Sequence, residues 1–285
     1  MAVPVYEAPA RSILSAVSGF IAQAGFTHSL TPARNCTFGC TYCYVPTMRV
    51  YGGLKREDWL QWGQFTTFKQ NAADLLRREL RPEQRIYCSP LVDPYQPPEA
   101  ERRQMPGLFA ELIACPPRVF VIQTRGPLIL RDLDLLRELA RRTLLRVSFS
   151  LTTDSEHVRK LYEPLCAPVG ERLAAMRTLR EAGIAVHATL APLLPCNPDA
   201  LAALALESTD ADLIGDPFHT RRTKCRGATT RDAALRISEH RGFAAWHDPH
   251  FAGGVVERIR ELVEAAGRRF GVGPEGFGWL AEVPV

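Results

Sequence analysis

From Gly25 onward the chain alternates short β-rich apolar runs with stretches of helical apolar spacing, and this constrains the fold more than any other feature. Strands joined by crossover helices line up in parallel, so the pattern predicts a mainly parallel sheet with helices packed on it. Six such units can be read. Their strands are expected at Thr27 to Leu30, Arg85 to Cys88, Val119 to Gln123, Leu145 to Leu151, Ala185 to Leu190 and Ala211 to Ile214. The helical stretches run from Phe68 to Leu80, Gly107 to Ala114, Arg131 to Arg142, Glu171 to Ala182 and Pro198 to Leu206. Leu173, Met176 and Leu179 recur at helical spacing, and Gly183 follows as a C-cap. Asp154 is placed to cap a short helix through Leu161, which Pro164 ends. The tail from Thr230 to Phe270 reads as helices beside the last strand. No internal repeat or low-complexity linker interrupts the chain. The expected organisation is an N-terminal extension over 1–26, a β/α core over 27–217, and a C-terminal substrate-side loop with helices over 218–285. Folds of this kind bind ligands at the carboxyl ends of their strands, so the residues just after each strand are the ones to read for chemistry.

At 285 residues, 46% hydrophobic and 23% charged, the chain can bury a full core, and disordered, collagen-like and disulfide-stapled classes are excluded. A net charge of +4 does not demand a nucleic-acid partner. No apolar run approaches the roughly 20 residues that span a bilayer. Without a secretory signal the expectation is a cytoplasmic protein with no membrane partner, whose eight cysteines are thiols rather than disulfides.

The loop after the first expected strand reads Arg34-Asn35-Cys36-Thr37-Phe38-Gly39-Cys40-Thr41-Tyr42-Cys43-Tyr44, a Cys-x3-Cys-x2-Cys spacing. Three thiols this close can converge on one metal centre, and a loop between Pro32 and Pro46 is a poor place for three core residues. A structural zinc site needs a fourth ligand, here His28 or a remote cysteine, and no second Cys/His knuckle is present. An electron-transfer cluster also needs four cysteines, whereas three leave one iron open. A non-enzymatic zinc or iron–sulfur protein stays open on the residues alone.

On Cys36, Cys40, Tyr42 and Cys43 the chain resembles the radical SAM superfamily, whose hallmark is Cys-x3-Cys-x-aromatic-Cys. It is further similar to the spore photoproduct lyase-like branch in four segments: Leu30 to Tyr44, Asp93-Pro94-Tyr95-Gln96-Pro97, Thr124 to Leu133, and Val147 to Gly183. The resemblance implies an α/β fold, a partial (β/α)6 TIM-like barrel with a helical C-terminal region. It implies a [4Fe-4S] cluster with one iron each on Cys36, Cys40 and Cys43, the fourth chelated by the amino and carboxylate groups of S-adenosylmethionine. Tyr42 would lie beside the adenine, Asp93 would serve the amino group and Arg125 the carboxylate. Cys88 would return a hydrogen atom to the product radical; it ends the second strand and is expected to point to the barrel mouth, the competing reading being a buried strand cysteine. A low-potential electron donor such as flavodoxin or ferredoxin is implied. So is reductive cleavage of S-adenosylmethionine to a 5′-deoxyadenosyl radical that abstracts a substrate hydrogen. The branch points to carbon–carbon lyase repair of a thymine dimer lesion in DNA, the alternative being RNA, a peptide or a small metabolite.

Three further patterns bear on the site. Ser148, Ser150 and Thr152 alternate with Val147, Phe149 and Leu151, so all three face one side, expected to be the interior near the S-adenosylmethionine ribose and carboxylate. Glu163 and Arg172 match branch positions, and a simple salt bridge explains them equally well. After the sixth strand, Arg221, Arg222, Lys224 and Arg226 stand near the mouth, where a phosphate-bearing substrate, including a nucleic acid, would fit. A solvated basic loop is the commoner fate of such a run. His247 and His250 read as surface or helix-end residues. Gly271 to Gly276 spells the dinucleotide fingerprint but contains Pro274 and opens no βαβ unit. Cys115, Cys166, Cys196 and Cys225 take no role.

Overall fold

The computed structural model describes residues 3–48, 53–218 and 232–283. Its strands in chain order are β1 (Val5–Ala8), β2 (Leu14–Ala16), β3 (His28–Leu30), β4 (Ala33–Arg34), β5 (Thr66–Lys69), β6 (Arg85–Cys88), β7 (Val119–Thr124), β8 (Leu144–Ser150), β9 (Ala185–Leu190), β10 (Leu213–Gly215) and β11 (Phe270–Val272). Eight of them form one sheet in the order β11-β10-β9-β8-β7-β6-β3-β2, and β1-β5-β4 form a second. In the large sheet every pairing from β3 to β11 is parallel, and β2 alone runs antiparallel, on β3. The parallel strands follow sequence order without reversal, so the sheet winds one way, as a barrel does, instead of outward from a switch point. Its edges, β2 and β11, are not paired with each other: the barrel is partial. The six expected strands are β3, β6, β7, β8, β9 and β10.

The long helices Ala72–Glu79, Gln104–Ala114, Leu133–Ala140, Val169–Glu181, Pro198–Ser208 and Pro249–Ala265 all pack on one face of this sheet. There they meet Ile86, Phe120, Ile122, Val147, Phe149 and Val186 in a single apolar layer. On the opposite face Tyr87, Val119, Val121 and Ile214 pack with Phe26, Phe277 and Leu280. Burial on both faces is why these strands read as continuous apolar runs in the sequence. No helix among the described residues is long and apolar enough to cross a membrane.

The structure differs from three local expectations. The first helical stretch begins with a strand, because Thr66, Thr67 and Phe68 are β-branched or aromatic and pair with both β1 and β4; the helix starts at Ala72. The short helix is Glu156–Tyr162, and Ser155 caps it by accepting from the Val158 amide at 3.3 Å. Asp154 instead accepts from the Asn197 amide at 2.9 Å, pinning the start of another helix. The tail is not wholly helical, for β11 extends the sheet beside β10 after the helices Asp232–His240 and Pro249–Ala265. The fingerprint glycines join β11 to a last helix, Gly273–Gly278, with no strand after it among the described residues, so they open no βαβ unit, as expected; their role is packing, for a Cβ on Gly276 would stand 2.5 Å from the Gly271 carbonyl carbon.

The small sheet positions the site. β5 holds β1 in parallel and β4 antiparallel, and β4 ends at Arg34, directly before the cysteine loop.

Candidate functional site

The cysteine loop leaves the carboxyl side of β3 and is pinned along its length. Asn35 takes the left-handed conformation with φ of 63°, which asparagine tolerates better than most residues. Its Oδ1 accepts from the Cys36 and Gly63 amides at 2.8 Å each, and its Nδ2 donates to the carbonyls of Asp58 and Gln61 at 3.4 and 3.1 Å. The Thr37 amide donates to Gln96 Oε1 at 2.9 Å, and Thr41 donates through both amide and hydroxyl to the Tyr162 carbonyl. Gly39 and Gly63 touch backbone to backbone; a Cβ on Gly63 would stand 2.8 Å from the Gly39 Cα. Cys36 and Cys40 are buried and Cys43 is half-buried, and none of the three is in a disulfide. Burial, then the neighbouring Asp93 and Cys40, push the Cys36 thiol up. Cys40 is shifted down, chiefly by a hydrogen bond with Cys166, which together with Arg125 outweighs burial.

Beside this loop a buried polar network centres on Glu163. Its Oε1 accepts from the Tyr42 hydroxyl, the Arg125 guanidinium and, at 3.0 Å, the Thr152 hydroxyl; its Oε2 accepts from Arg172 Nη2 at 2.5 Å. Burial acts to raise this carboxyl, but Arg172 and Arg125 overcome it with help from Tyr42 and hold it down to about 2. The salt bridge between Glu163 and Arg172 is therefore present, and it is shared with Tyr42, Arg125 and Thr152. The Glu163–Arg172 pair and Tyr42, Arg125 and Thr152, each read apart from it in the sequence, are one cluster.

Asp93, on the loop after β6, is satisfied by the protein itself. Oδ1 accepts from the Thr124 hydroxyl at 2.7 Å and the Tyr95 amide at 2.9 Å, and Oδ2 accepts from the Arg125 amide at 2.9 Å. Burial raises its carboxyl against these three donors. The loops after β6 and β7 are locked together nearby: Gly126 lies so close that a Cβ would be 2.6 Å from the Tyr95 carbonyl. Arg131 there bridges Asp132 and Glu99 at 2.8 and 2.9 Å.

The sheet face opposite the long helices carries a second polar group. The Ser148 hydroxyl donates to Gln123 Oε1 at 2.7 Å and shares a hydrogen bond with Thr189 at 2.5 Å. Gln123 Nε2 donates to Ser150 at 2.8 Å, and the Tyr87 hydroxyl donates to Gln123 Oε1 at 2.5 Å. Ser148 and Ser150 thus share a face, as alternation predicts, while Thr152 lies past the strand end and joins Glu163.

Cys88 is a correction. It shares strand parity with Ile86, so its side chain lies on the helix side of the sheet, fully buried in the main apolar layer; it does not point to the barrel mouth. Tyr87, of opposite parity, faces the polar group. Arg221, Arg222, Lys224 and Arg226 lie outside the described residues, as does Cys225. Asn35, Gln96 and Cys166 are site residues that sequence reading missed. The left-handed tolerance of an Asn set just before Cys36 was the one available signal.

A family model described as the radical SAM superfamily matches residues 30–206, more than half of the chain. The chain belongs to the radical SAM superfamily. Members of this family use a [4Fe-4S] cluster and S-adenosylmethionine. An uncharacterized protein of Mycobacterium tuberculosis is 29% identical over 197 residues, which is 68% of this chain and 57% of the relative. An uncharacterized protein of Methanocaldococcus jannaschii is 26% identical over 160 residues, 56% of this chain and 58% of its own length. The chain thus spans little more than half the length of these curated relatives. Among solved structures, spore photoproduct lyase complexed with dinucleoside spore photoproduct superposes with a TM-score of 0.63 at 17% identity, over 94% of this chain and 81% of that one. A doubly substituted mutant of the same lyase with bound AdoMet and dinucleoside spore photoproduct gives 0.62 at 16% over the same shares. The fold is shared with spore photoproduct lyase.

The residues present fit the family's cofactors. Three thiols issue from one pinned loop, and the buried Thr37 and Ser89 hydroxyls beside it have no partner among the described residues. No three donors among the described residues close around a single metal ion, whereas a four-iron cluster takes one thiolate per iron at separate corners.

Proposed function

We propose that this protein is a radical SAM enzyme whose cluster is held by Cys36, Cys40 and Cys43. The observation that carries the reading is the cysteine loop, fixed beyond the carboxyl end of β3, the first parallel strand of the large sheet, by Asn35 and Gln96. When bound, the cluster and S-adenosylmethionine supply reductive cleavage to methionine and a 5′-deoxyadenosyl radical, which takes a hydrogen atom from substrate.

The chain's own residues hold and shield that chemistry. Tyr42 and Arg125 meet over Glu163, with the guanidinium carbon 5.8 Å from the ring centroid, and present an aromatic face and a fixed cation beside the thiols. In our reading Tyr42 borders the adenine, and Arg125 balances the carboxylate of S-adenosylmethionine, with Asp93 setting the Arg125 backbone. Ser148 and Ser150, joined through Gln123, would face the ribose, and Thr152 steadies Glu163. Phe218 packs edge-on against Tyr42 and Tyr162, keeping water from this side of the loop.

For the substrate we propose a phosphate-bearing molecule, in its narrowest form a DNA strand with a thymine dimer lesion, with electrons from a flavodoxin or ferredoxin. The four cations at 221–226 support this. So does a groove of about 490 Å³ lined by Arg236, His240, Arg241, Leu161, Ala233 and Ile237. That groove abuts the helix whose Tyr162 carbonyl holds Thr41.

Anaerobic reconstitution with iron and sulfide, reduction, and chromatography for 5′-deoxyadenosine test the core reading. The wild type forms this product, and Cys36→Ala, Cys40→Ala and Cys43→Ala fall to background; product persisting in these variants defeats the proposal. Binding of a dimer-containing oligonucleotide, titrated against salt, tests the substrate. Arg222→Ala and Arg236→Ala should each lower the slope of log K against log[salt] by about 1, and equal slopes leave the phosphate reading without support.

A further inference from the structure

Cys166 stands against the cluster loop although the proposed chemistry assigns it nothing. It follows the turn after helix Glu156–Tyr162, and its Sγ lies 3.7 Å from the Sγ of Cys40, within S–H···S hydrogen-bonding distance. Both thiols are buried, so no bulk water competes for either sulfur. The turn is fastened independently of Cys40. The Cys166 amide donates to the Glu163 carbonyl at 3.0 Å. The buried Arg159 guanidinium donates through Nη1 to the carbonyls of Glu163, Pro164 and Cys166 at 3.1, 3.2 and 3.2 Å. Arg159 is itself held by Glu156, whose other carboxylate oxygen accepts from the Val169 amide at 3.1 Å. The thiol is therefore brought to Cys40 by a rigid frame on both sides of residue 166 in sequence.

We propose that Cys166 is a positioning residue for the cluster: its S–H donates to the Cys40 thiolate and sets how readily the centre accepts an electron. The inference rests on the reading of Cys40 as a cluster ligand. Reduction leaves more negative charge on the ligand sulfurs, so a fixed donor at one of them favours the reduced state and raises the potential. No bond is made or broken in this role. The same donor restrains the orientation of the Cys40 side chain.

Potentiometric titration followed by electron paramagnetic resonance tests it on reconstituted wild type, Cys166→Ala and Cys166→Ser. The midpoint of Cys166→Ala should move to a more negative potential, and Cys166→Ser, which keeps an O–H donor, should recover part of the shift. A midpoint for Cys166→Ala equal to wild type overturns the proposal while leaving the functional reading intact. A wild type that takes up no cluster defeats both. Should Cys166→Ala fail to hold a cluster, the cluster-free full chain decides. Oxidised glutathione takes two electrons and two protons from a pair of adjacent thiols, giving one protein disulfide and two molecules of reduced glutathione. Peptide mapping should find that disulfide between Cys40 and Cys166, and its absence, or pairing of Cys166 with another cysteine, overturns the contact on which the inference stands.

Discussion

Asn35 shows how one side chain can organise a reactive loop. It supplies a backbone conformation and four hydrogen bonds together, so two substitutions separate its contributions. Asn35→Gly keeps the conformation and loses the bonds, and Asn35→Ala loses both. Each should cost at least about 2 kcal/mol for stranded buried partners, with Asn35→Ala the worse, and both should lower iron bound per chain after reconstitution. Iron analysis and urea unfolding measure these effects, and wild-type iron content in both variants would contradict them. Glu163→Gln leaves two guanidinium groups facing an uncharged amide. The expected loss is about 3 to 5 kcal/mol, read by the same unfolding experiment. Cys88 illustrates what spacing alone hides. Its position at a strand end is visible in the sequence, but the face it occupies follows from the parity of Ile86 and the register with Ile122. Cys88→Ala should therefore cost about 1 kcal/mol in packing and leave 5′-deoxyadenosine formation intact. That Cys36, Cys40 and Cys43 share one loop was legible because their spacing is local. Gln96 and Cys166 were not, because contacts spanning 59 and 126 residues leave no periodic trace.

Among the elements, the strands buried on both faces announced themselves as apolar runs, and β3 and β6 to β10 fall where those runs lie. β1 did not, since Val5–Ala8 is largely exposed and its ordering comes from pairing with β5. β11 was hidden by Gly271, which weakens the local strand signal while permitting contact with the following helix. The helix cap was misassigned by one residue because Asp154 and Ser155 are both good caps, and only the distant Asn197 amide decides between them. The joint between β10 and β11 is tight: a Cβ on Gly215 would meet the Phe270 ring at 2.3 Å. Gly215→Ala should destabilise by about 1 to 3 kcal/mol through overpacking, with cluster content unchanged. Denaturant midpoints against iron analysis check this, and loss of iron at wild-type stability would show that the joint acts on the site rather than on the sheet.

For the molecule as a whole, the one-way winding of the sheet puts the long helices on one side and leaves on the other a face where Gln123, Ser148, Ser150 and Thr189 satisfy each other, with His187 on the same face. His187 donates through Nδ1 to the Asp212 carbonyl at 3.0 Å, and burial brings its imidazole down to about 4 from an ordinary 6.5. The folded chain therefore keeps it neutral where the unfolded chain binds a proton. Its stabilising contribution is complete above pH 6.5 and is lost as pH falls from there toward 4, by up to about 3 kcal/mol. His187→Gln should flatten unfolding free energy against pH across that window, and a slope equal to wild type would assign acid sensitivity elsewhere. The architecture also has a history written into it. The cysteine loop is synthesised before the rest of its frame, which includes Gln96, Tyr162 and Cys166, the last of them 126 residues after Cys40. At ordinary elongation rates that interval is roughly 6 to 25 s. For that time the three thiols wait on a nascent chain without their enclosure, exposed to whatever metals and oxidants surround the translation machinery. Guarded delivery of iron and sulfur after synthesis, rather than capture during it, is the assembly order this topology favours.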